Sequence, residues 1–275
     1  MANLKMYCIS LNPDHLALIK SLGYLPVGLG NSDFSSEWLT DKNKDSIHYK
    51  NNYYGEYTFH YALWKNNFFD FDGWIGFCQY RKFWFENQII KKNLSLESLK
   101  SFVLKKIPQN LNNYESILGE ELFVNKFKFS KFIKKNFKKM ILDPSLIFDK
   151  NKRNIKFHFD MMHGDGNLDK AISLLDKKEK SDFTAFVNTE VSFNPHNMFI
   201  CKNKKTLITY YDSLFPWLEK CEELFGFKNL EGYGLRRIYG FLAERYMSYW
   251  FKKYTNFALL PIYFKDLEDF NYKNL

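Results

Sequence analysis

Through its first third the chain alternates short apolar runs with stretches of helical spacing. "KMYCISL" is a continuous apolar run, as in a strand buried on both faces. "PDHLALIKSLGY" predicts a short helix opened by Pro13 and Asp14 and closed by Gly23. "YLPVGLG" reads as a second short strand. From Asn31 to Asn52 the sequence is polar and predicts a loop with one turn of helix. "YGEYTFHYALWKN" returns to helical spacing through Tyr57, His60 or Tyr61, and Trp64. "FDGWIGFCQYRKFW" predicts another apolar strand of the kind found at the centre of a parallel sheet. Strand, helix, strand, helix, strand is an α/β order, and it predicts a mostly parallel sheet flanked by helices.

In the middle of the chain "YESILGEEL" reads as a strand. "NKFKFSKFIKKNFKKMIL" follows with Phe129, Phe132, Ile133, Phe137, Met140 and Ile141 at steps of three and four, and lysines between them. That pattern predicts a basic amphipathic helix, an insertion around 125–142 able to lie on an anionic membrane surface. Beyond Lys156, "LDKAISLLDKKEK" predicts a helix and "VSFNPHNMFICKN" a strand interrupted by Pro195. "TLITYYDSLFPWLEKCEELFG" predicts a helix whose register breaks at Pro216. "GYGLRRIYGFLAERYMSYWFKKY" predicts one long final helix, and "FALLPIYF" a last strand. With no repeat and no linker, residues 1–275 read as a single domain.

Composition narrows the partners. The 275 residues are 45% hydrophobic and 26% charged, the globular range. Aromatic residues reach 19%, with Tyr 18 and Trp 6, which points to a pocket or interface where their polar ends find partners. The net charge is +9. From Arg81 to Asp160 there are 18 Lys plus Arg against 8 Asp plus Glu, so the basic charge is concentrated and suits an anionic partner. Cys8, Cys78, Cys201 and Cys221 form no C-x-x-C, which argues against a zinc site or a disulfide framework and for a reducing cytoplasm. Asp14, His15 and Lys20 break the first apolar stretch, so no signal peptide is expected, and no window has 18 consecutive apolar residues.

Several groups could carry chemistry. On a helical wheel Ile238, Phe241, Leu242, Tyr246, Tyr249 and Trp250 share a face with Arg245 at its middle. A guanidinium there is either ion-paired in the core or aimed into a ligand cavity. Glu244 and Arg237 share a neighbouring stripe, where Glu244 is a salt-bridge partner, a ligand for sugar hydroxyls or a base. Asp70 and Asp72 form a D-x-D, but they precede the apolar strand, whereas α/β sheets bind ligands at the carboxyl ends of strands. No metal is therefore assigned and no cofactor is expected, although a Mn or Mg ion is left open. The carboxyl end instead carries Gln79, Tyr80, Arg81 and Lys82, donors suited to a diphosphate. Asn194, His196 and Asn197 flank a buried strand, as caps or as sugar ligands. His158, Asp160, His163 and Asp165 fall within eight positions; a loop ending in a helix capped by Asp165 or Asn167 explains them better than a metal. No P-loop, G-x-G-x-x-G, G-x-S-x-G or H-E-x-x-H occurs.

Four stretches taken together, "NNYYGEYTFHYALWKN", "DGWIGFCQYRKFW", "NPHNMFICKN" and "YGFLAERYMSYWF", resemble a family of bacterial proteins from capsule, exopolysaccharide and O-antigen gene clusters. Some of its members are regarded as glycosyltransferases of galactofuranosyl type. The resemblance runs from Tyr24 to about Phe264, and "YLPVGLGNSDF" looks like a subgroup of it. The family's "HYRRYF" falls on Gln79, Tyr80, Arg81 and Lys82, its "NMFIM" asparagine on Asn197, and its Glu-Arg pair on Glu244 and Arg245. Gln79 stands where the family usually has His, and Gln can bind but not titrate.

The resemblance implies a GT-A-like nucleotide-sugar transferase fold. It implies transfer of a sugar from a nucleotide-diphosphate donor, a UDP-sugar, to a glycan or lipid-linked glycan acceptor of the bacterial surface. The enzyme would be cytoplasmic and peripheral at the inner face of the membrane. Ser10 and Asn12 would meet the nucleotide. Gln79, Tyr80, Arg81, Lys82 and Arg245 would neutralise the diphosphate. His163, Asn197 and Arg237 would hold sugar hydroxyls, and Glu244 or Asp165 would be the base. Two other readings compete: a sugar-binding or assembly protein that has lost catalysis, motivated by Gln79, and a nucleic-acid-binding protein, for which no RRM, KH or helix-turn-helix pattern exists.

Overall fold

The computed structural model describes residues 2–66, 72–89, 93–126 and 144–270. Its strands, in chain order, are β1 (Ala2–Ser10), β2 (Leu25–Gly28), β3 (Leu39–Thr40), β4 (Trp74–Gln79), β5 (Lys82–Trp84), β6 (Lys106–Ile107), β7 (Ser116–Gly119), β8 (Leu122–Phe123), β9 (Ser192–Phe193), β10 (Phe199–Cys201), β11 (Phe257–Leu260) and β12 (Ile262–Phe264). The chain divides into two compact units. The first holds Met1–Glu120, Asn197–Ser213 and Phe251–Leu275, and the second holds Glu121–His196 and Leu214–Trp250.

The first unit is built on a sheet of order β11-β7-β10-β4-β1-β2-β3. β4, β1, β2 and β3 run parallel, as do β11 and β7, and β10 is reversed between β7 and β4. β1 and β4 are paired on both flanks, and their apolar runs are buried by what packs on the sheet's faces: Tyr7 lies 5.6 Å from Phe59 of helix Tyr57–Asn66, and Met6 and Cys8 share a core with Leu18 and Ile19. Gly76 of β4 lies where a Cβ would press on the side chains of Met6 and Ile200 at 2.9 and 3.1 Å, so glycine gives them room across the strands. From β1 the chain moves to β2 and β3 on one side, while β4 pairs the other side of β1. The carboxyl ends of β1 and β4 therefore flank a switch point in strand order, the place where open α/β sheets take ligands.

Two strands expected to be continuous are divided, and a third, expected to be interrupted at Pro195, is shared between two sheets. "WIGFCQYRKFW" is a hairpin: β4 ends at Gln79, and β5 returns antiparallel with Gln79 opposite Lys82. "FALLPIYF" splits at Pro261, which has no N–H for a ladder; β11 pairs β7, and β12 pairs β5. In "VSFNPHNMFICKN", β9 joins a two-stranded sheet with β8, and β10 joins the main sheet.

The first unit buries much of its tyrosine and histidine. His60 of helix Tyr57–Asn66 is fully buried among Tyr57, Phe77, Phe199 and Tyr211, with ring centroids 4.3–5.7 Å away. Its Nδ1 meets the Tyr211 hydroxyl at 2.6 Å, and the hydroxyls of Tyr57 and Tyr210 meet at 2.9 Å. Burial lowers the His60 pKa from 6.5 to about 3. The unfolded chain thus binds the proton more readily than the folded one. Stability from this group is complete above pH 6.5 and is lost as pH falls toward 3. We expect an acid limb approaching about 1.4 kcal/mol per pH unit from this residue. Unfolding midpoints measured from pH 7 to 4 should fall less steeply in His60→Gln; parallel slopes would remove His60 as the cause.

The second unit is mostly helical: Ile155–His163, Asn167–Ser173, Lys177–Thr189, residues 214–225, Gly232–Arg236 and residues 238–250, with β8 and β9. "FHFDMMH" is not a loop. It is the body of helix Ile155–His163, started by Asn154, whose side chain accepts from Phe157 N at 2.9 Å. Helix Asn167–Ser173 is preceded by Gly166 in the left-handed region (φ 73°), and neither Asp165 nor Asn167 caps it. The final helix is two, Gly232–Arg236 and Ile238–Tyr254, parted at Arg237. Helix Lys204–Phe225 continues through Pro216. There Leu214, Phe215, Trp217 and Leu218 are buried around the missing backbone bond and hold the helix together. The basic helix expected around 125–142 falls, apart from Asn125 and Lys126, outside the described residues. Among the described residues no helix is long and apolar enough to cross a membrane.

Candidate active site

The site is built at one end of the first unit's sheet. At the carboxyl end of β1, Ser10 is fully buried, and its Oγ meets His15 Nδ1 at 2.9 Å. Asn12 caps the turn Pro13–His15 by accepting from Asp14 N at 3.0 Å. At the carboxyl end of β4, Tyr80 N donates to Ile9 O at 2.9 Å, which ties the two strand ends together. The Tyr80 ring lies 5.2 Å from that of His15, and the Arg81 guanidinium lies over Tyr80 at 4.6 Å. Burial lowers the His15 pKa, opposed chiefly by Glu268 and Asp266. Burial raises that of Tyr80, and Arg81 opposes it.

A second group lies on the β10 side of the same sheet end. Glu56 Oε1 accepts from Gln79 Nε2 at 3.1 Å and from Asn197 Nδ2 at 2.8 Å. Gln79 Oε1 in turn accepts from Lys82 Nζ at 3.0 Å. Asn197 takes φ 54°, a left-handed conformation that asparagine tolerates better than most residues. The structure thus gathers Gln79, Lys82 and Asn197 around Glu56, a residue that motif reading passed over. Its signal was within reach: it follows Gly55 (φ 59°) inside "NNYYGEYTFHYALWKN", the first of the four resembling stretches.

Next to the end of β1 is a cavity of about 210 Å³ lined by Leu11, Gly30, Ser32, His48, Tyr49 and Asn51, among others. It also lies past the carboxyl end of β2. Of the D-x-D pair, Asp70 lies outside the described residues. Asp72 is exposed and precedes β4 at its amino end. A six-residue strand spans about 20 Å, which places Asp72 at the far end of β4 from a diphosphate held at the carboxyl end. Among the described residues no three His, Cys, Asp or Glu side chains gather as metal ligands.

A family model described as "Domain of unknown function (DUF4422)" matches residues 5–256. The chain belongs to the DUF4422 family. No curated protein matches it. Among solved structures, this DUF4422 chain is similar to the apo structure of the WbbM bifunctional glycosyltransferase, with a TM-score of 0.68 and 20% identity. The match covers 95% of this chain and 45% of that one, so the chain spans less than half the length of WbbM. At this identity the likeness shows the fold. The DUF4422 chain is a mixed α/β protein with a mostly parallel central sheet, consistent with a GT-A-like fold.

The remaining sequence candidates of this DUF4422 chain lie in its second unit. Arg245, read as either ion-paired in the core or aimed at a ligand, is 2% exposed, with protein partners for its terminal nitrogens and, among the described residues, none for its buried Nε. It pairs with Glu244, meets His158 Nδ1 at 3.2 Å and lies over the Phe193 ring at 4.2 Å. Glu244 is also buried, and its Oε1 accepts from His196 N at 2.6 Å, where His196 takes φ 80°. His163 is 3% exposed and stacks on Phe241 at 4.0 Å, with Nδ1 3.0 Å from Gly234 O. Arg237 is half-buried at the break between the last two helices, 5.8 Å over Tyr233. Asp165 is exposed in the turn after His163. Asn194 is buried and accepts from the Ser248 hydroxyl at 2.9 Å.

Proposed function

We propose that the protein is a glycosyltransferase, one glycosyltransferase-like domain made of both units. It transfers a sugar, galactofuranose by the motif resemblance, from a UDP-sugar to a bacterial surface polysaccharide or lipid-linked glycan. The observation that carries this reading is the set of donors at the switch point, Asn12, Tyr80 and Arg81, beside a polar cavity past the ends of β1 and β2. In this reading the cavity takes the nucleoside, with Tyr49, 69% exposed, available to stack on the base. Arg81 neutralises the departing diphosphate. Glu56 accepts the proton of the attacking acceptor hydroxyl, and Gln79 and Asn197 hold its orientation. Gln79 positions rather than titrates, which removes the difficulty of finding Gln where the resembling family has His. The buried Ser10 holds the end of β1 through His15.

Titration calorimetry with UDP and uridine tests the nucleotide site. Arg81→Ala should weaken UDP about 10- to 100-fold, the worth of a hydrogen bond to a charged group, and leave uridine unchanged. UDP binding without UDP release from any UDP-sugar would favour the sugar-binding reading. Absence of UDP binding would remove both.

A further inference from the structure

The segment after β12 crosses the donor groups at the switch point and covers them with negative charge. Its backbone is tied to the β4–β5 turn: Lys265 N donates to Arg81 O and Leu267 N to Tyr80 O, each at 3.1 Å. Leu267 is fully buried in the core, so the segment is pinned at its centre. On either side of that pin two carboxylates reach the site. Asp266 Oδ2 lies 2.7 Å from Arg81 Nε. Glu268 Oε1 accepts from Asn12 Nδ2 at 3.0 Å and lies 3.5 Å from His15 Nε2. The third acid of the segment, Asp269, turns away and pairs with Lys265 at 2.8 Å. Two negative groups two residues apart thus occupy the donors of both strand ends at once.

This is the arrangement a diphosphate would take: two linked anionic centres, one on a guanidinium and one on the amide at the end of β1. Resting on the nucleotide-sugar reading above, we infer that Asp266 and Glu268 are internal stand-ins for the donor's diphosphate, which must displace them to bind. The displacement needs only side-chain rotation, because Leu267 and the two backbone bonds hold the segment while Asp266 and Glu268 keep 29% and 45% of their side chains exposed. The consequence is selectivity. A neutral nucleoside or a lone monoanion cannot replace both contacts, whereas a nucleoside diphosphate can. Asp266 keeps Arg81 neutralised rather than open to any passing anion.

The test is the affinity of UDP and uridine for wild type, Asp266→Asn with Glu268→Gln, and Asp269→Asn. Both substitutions in the first variant are close in shape, and its folding is checked by thermal unfolding. The double variant should bind UDP about three- to tenfold more tightly, the scale of one partly exposed ion pair and one hydrogen bond to a carboxylate. Uridine should be unchanged, and Asp269→Asn should behave as wild type. Unchanged UDP affinity in the double variant overturns the inference. So does an equal gain in Asp269→Asn, which would mark a general charge effect. A loss of affinity in the double variant also overturns it, because the carboxylates would then serve the bound nucleotide. If no variant and no wild type binds UDP, the nucleotide reading itself has failed, and the inference goes with it.

Discussion

Glu56→Gln should lower sugar transfer about 10²- to 10⁴-fold, the usual contribution of a positioned general base. Glutamine keeps the shape and keeps an oxygen to accept from Gln79 and Asn197, so both hydrogen bonds at 3.1 and 2.8 Å survive. What it loses is the ability to take a proton. UDP affinity should therefore stay within about twofold, because Arg81 and the cavity past β1 and β2 are untouched. The measurement is UDP release from UDP-galactofuranose and UDP-galactopyranose, with and without a lipid-linked acceptor, beside UDP titration. Glu56→Asp, which withdraws the carboxylate by one methylene, should fall between the two. Wild-type turnover in Glu56→Gln would end the assignment of the base while leaving the nucleotide site intact.

Arg245→Met should destabilise the protein by about 3–5 kcal/mol, the cost of stranding one member of a buried ion pair. Glu244 would keep its bond from His196 N but lose its counter-charge in an interior where it is 8% exposed. The guanidinium's place over Phe193 and Phe159 would be filled only in part by a thioether. For a chain of this size that is a fall of about 6–15 °C in the unfolding midpoint. Adding Glu244→Gln should restore part of the loss, because the stranded charge is removed along with its partner. Below the midpoint, UDP affinity should be that of the wild type. A loss of affinity with an unchanged midpoint would return Arg245 to the ligand role its helical position first suggested.

That contrast shows what kind of information each level holds. Periodicity alone places Arg245 on the apolar face of its helix, and elementary electrostatics says that a buried guanidinium must be paired. Both statements hold. Which partner it finds depends on His158 from helix Ile155–His163 and on the neighbouring Glu244, and only the first of these comes from another element. His163 departs further: read in a loop, it ends helix Ile155–His163 and stacks on Phe241. Glu56 shows the reverse. Its neighbours Gln79 and Asn197 carried recognisable motifs, yet the carboxylate that joins them lies 23 residues from one and 141 from the other.

From the sequence alone came the α/β order, the central apolar strand and the polar, basic stretch Gln79 to Lys82 that ends it. These are local properties, set by side-chain periodicity and by the chemistry of neighbouring residues. The turn that makes "WIGFCQYRKFW" a hairpin is decided by tertiary structure, since Tyr80 N is satisfied by Ile9 of another strand. So are the reversal of β10 between β7 and β4 and the division of "FALLPIYF" between two partners. The acidic segment over Arg81 and Asn12 is the extreme case. Nothing in "YFKDLEDF" marks Asp266 and Glu268 as partners of the first strand's end. Only the pairing of β12 with β5 carries them across some 250 residues of chain to that place. Hydrogen bonding between distant strands obeys the whole sheet's register, and no window of sequence contains it.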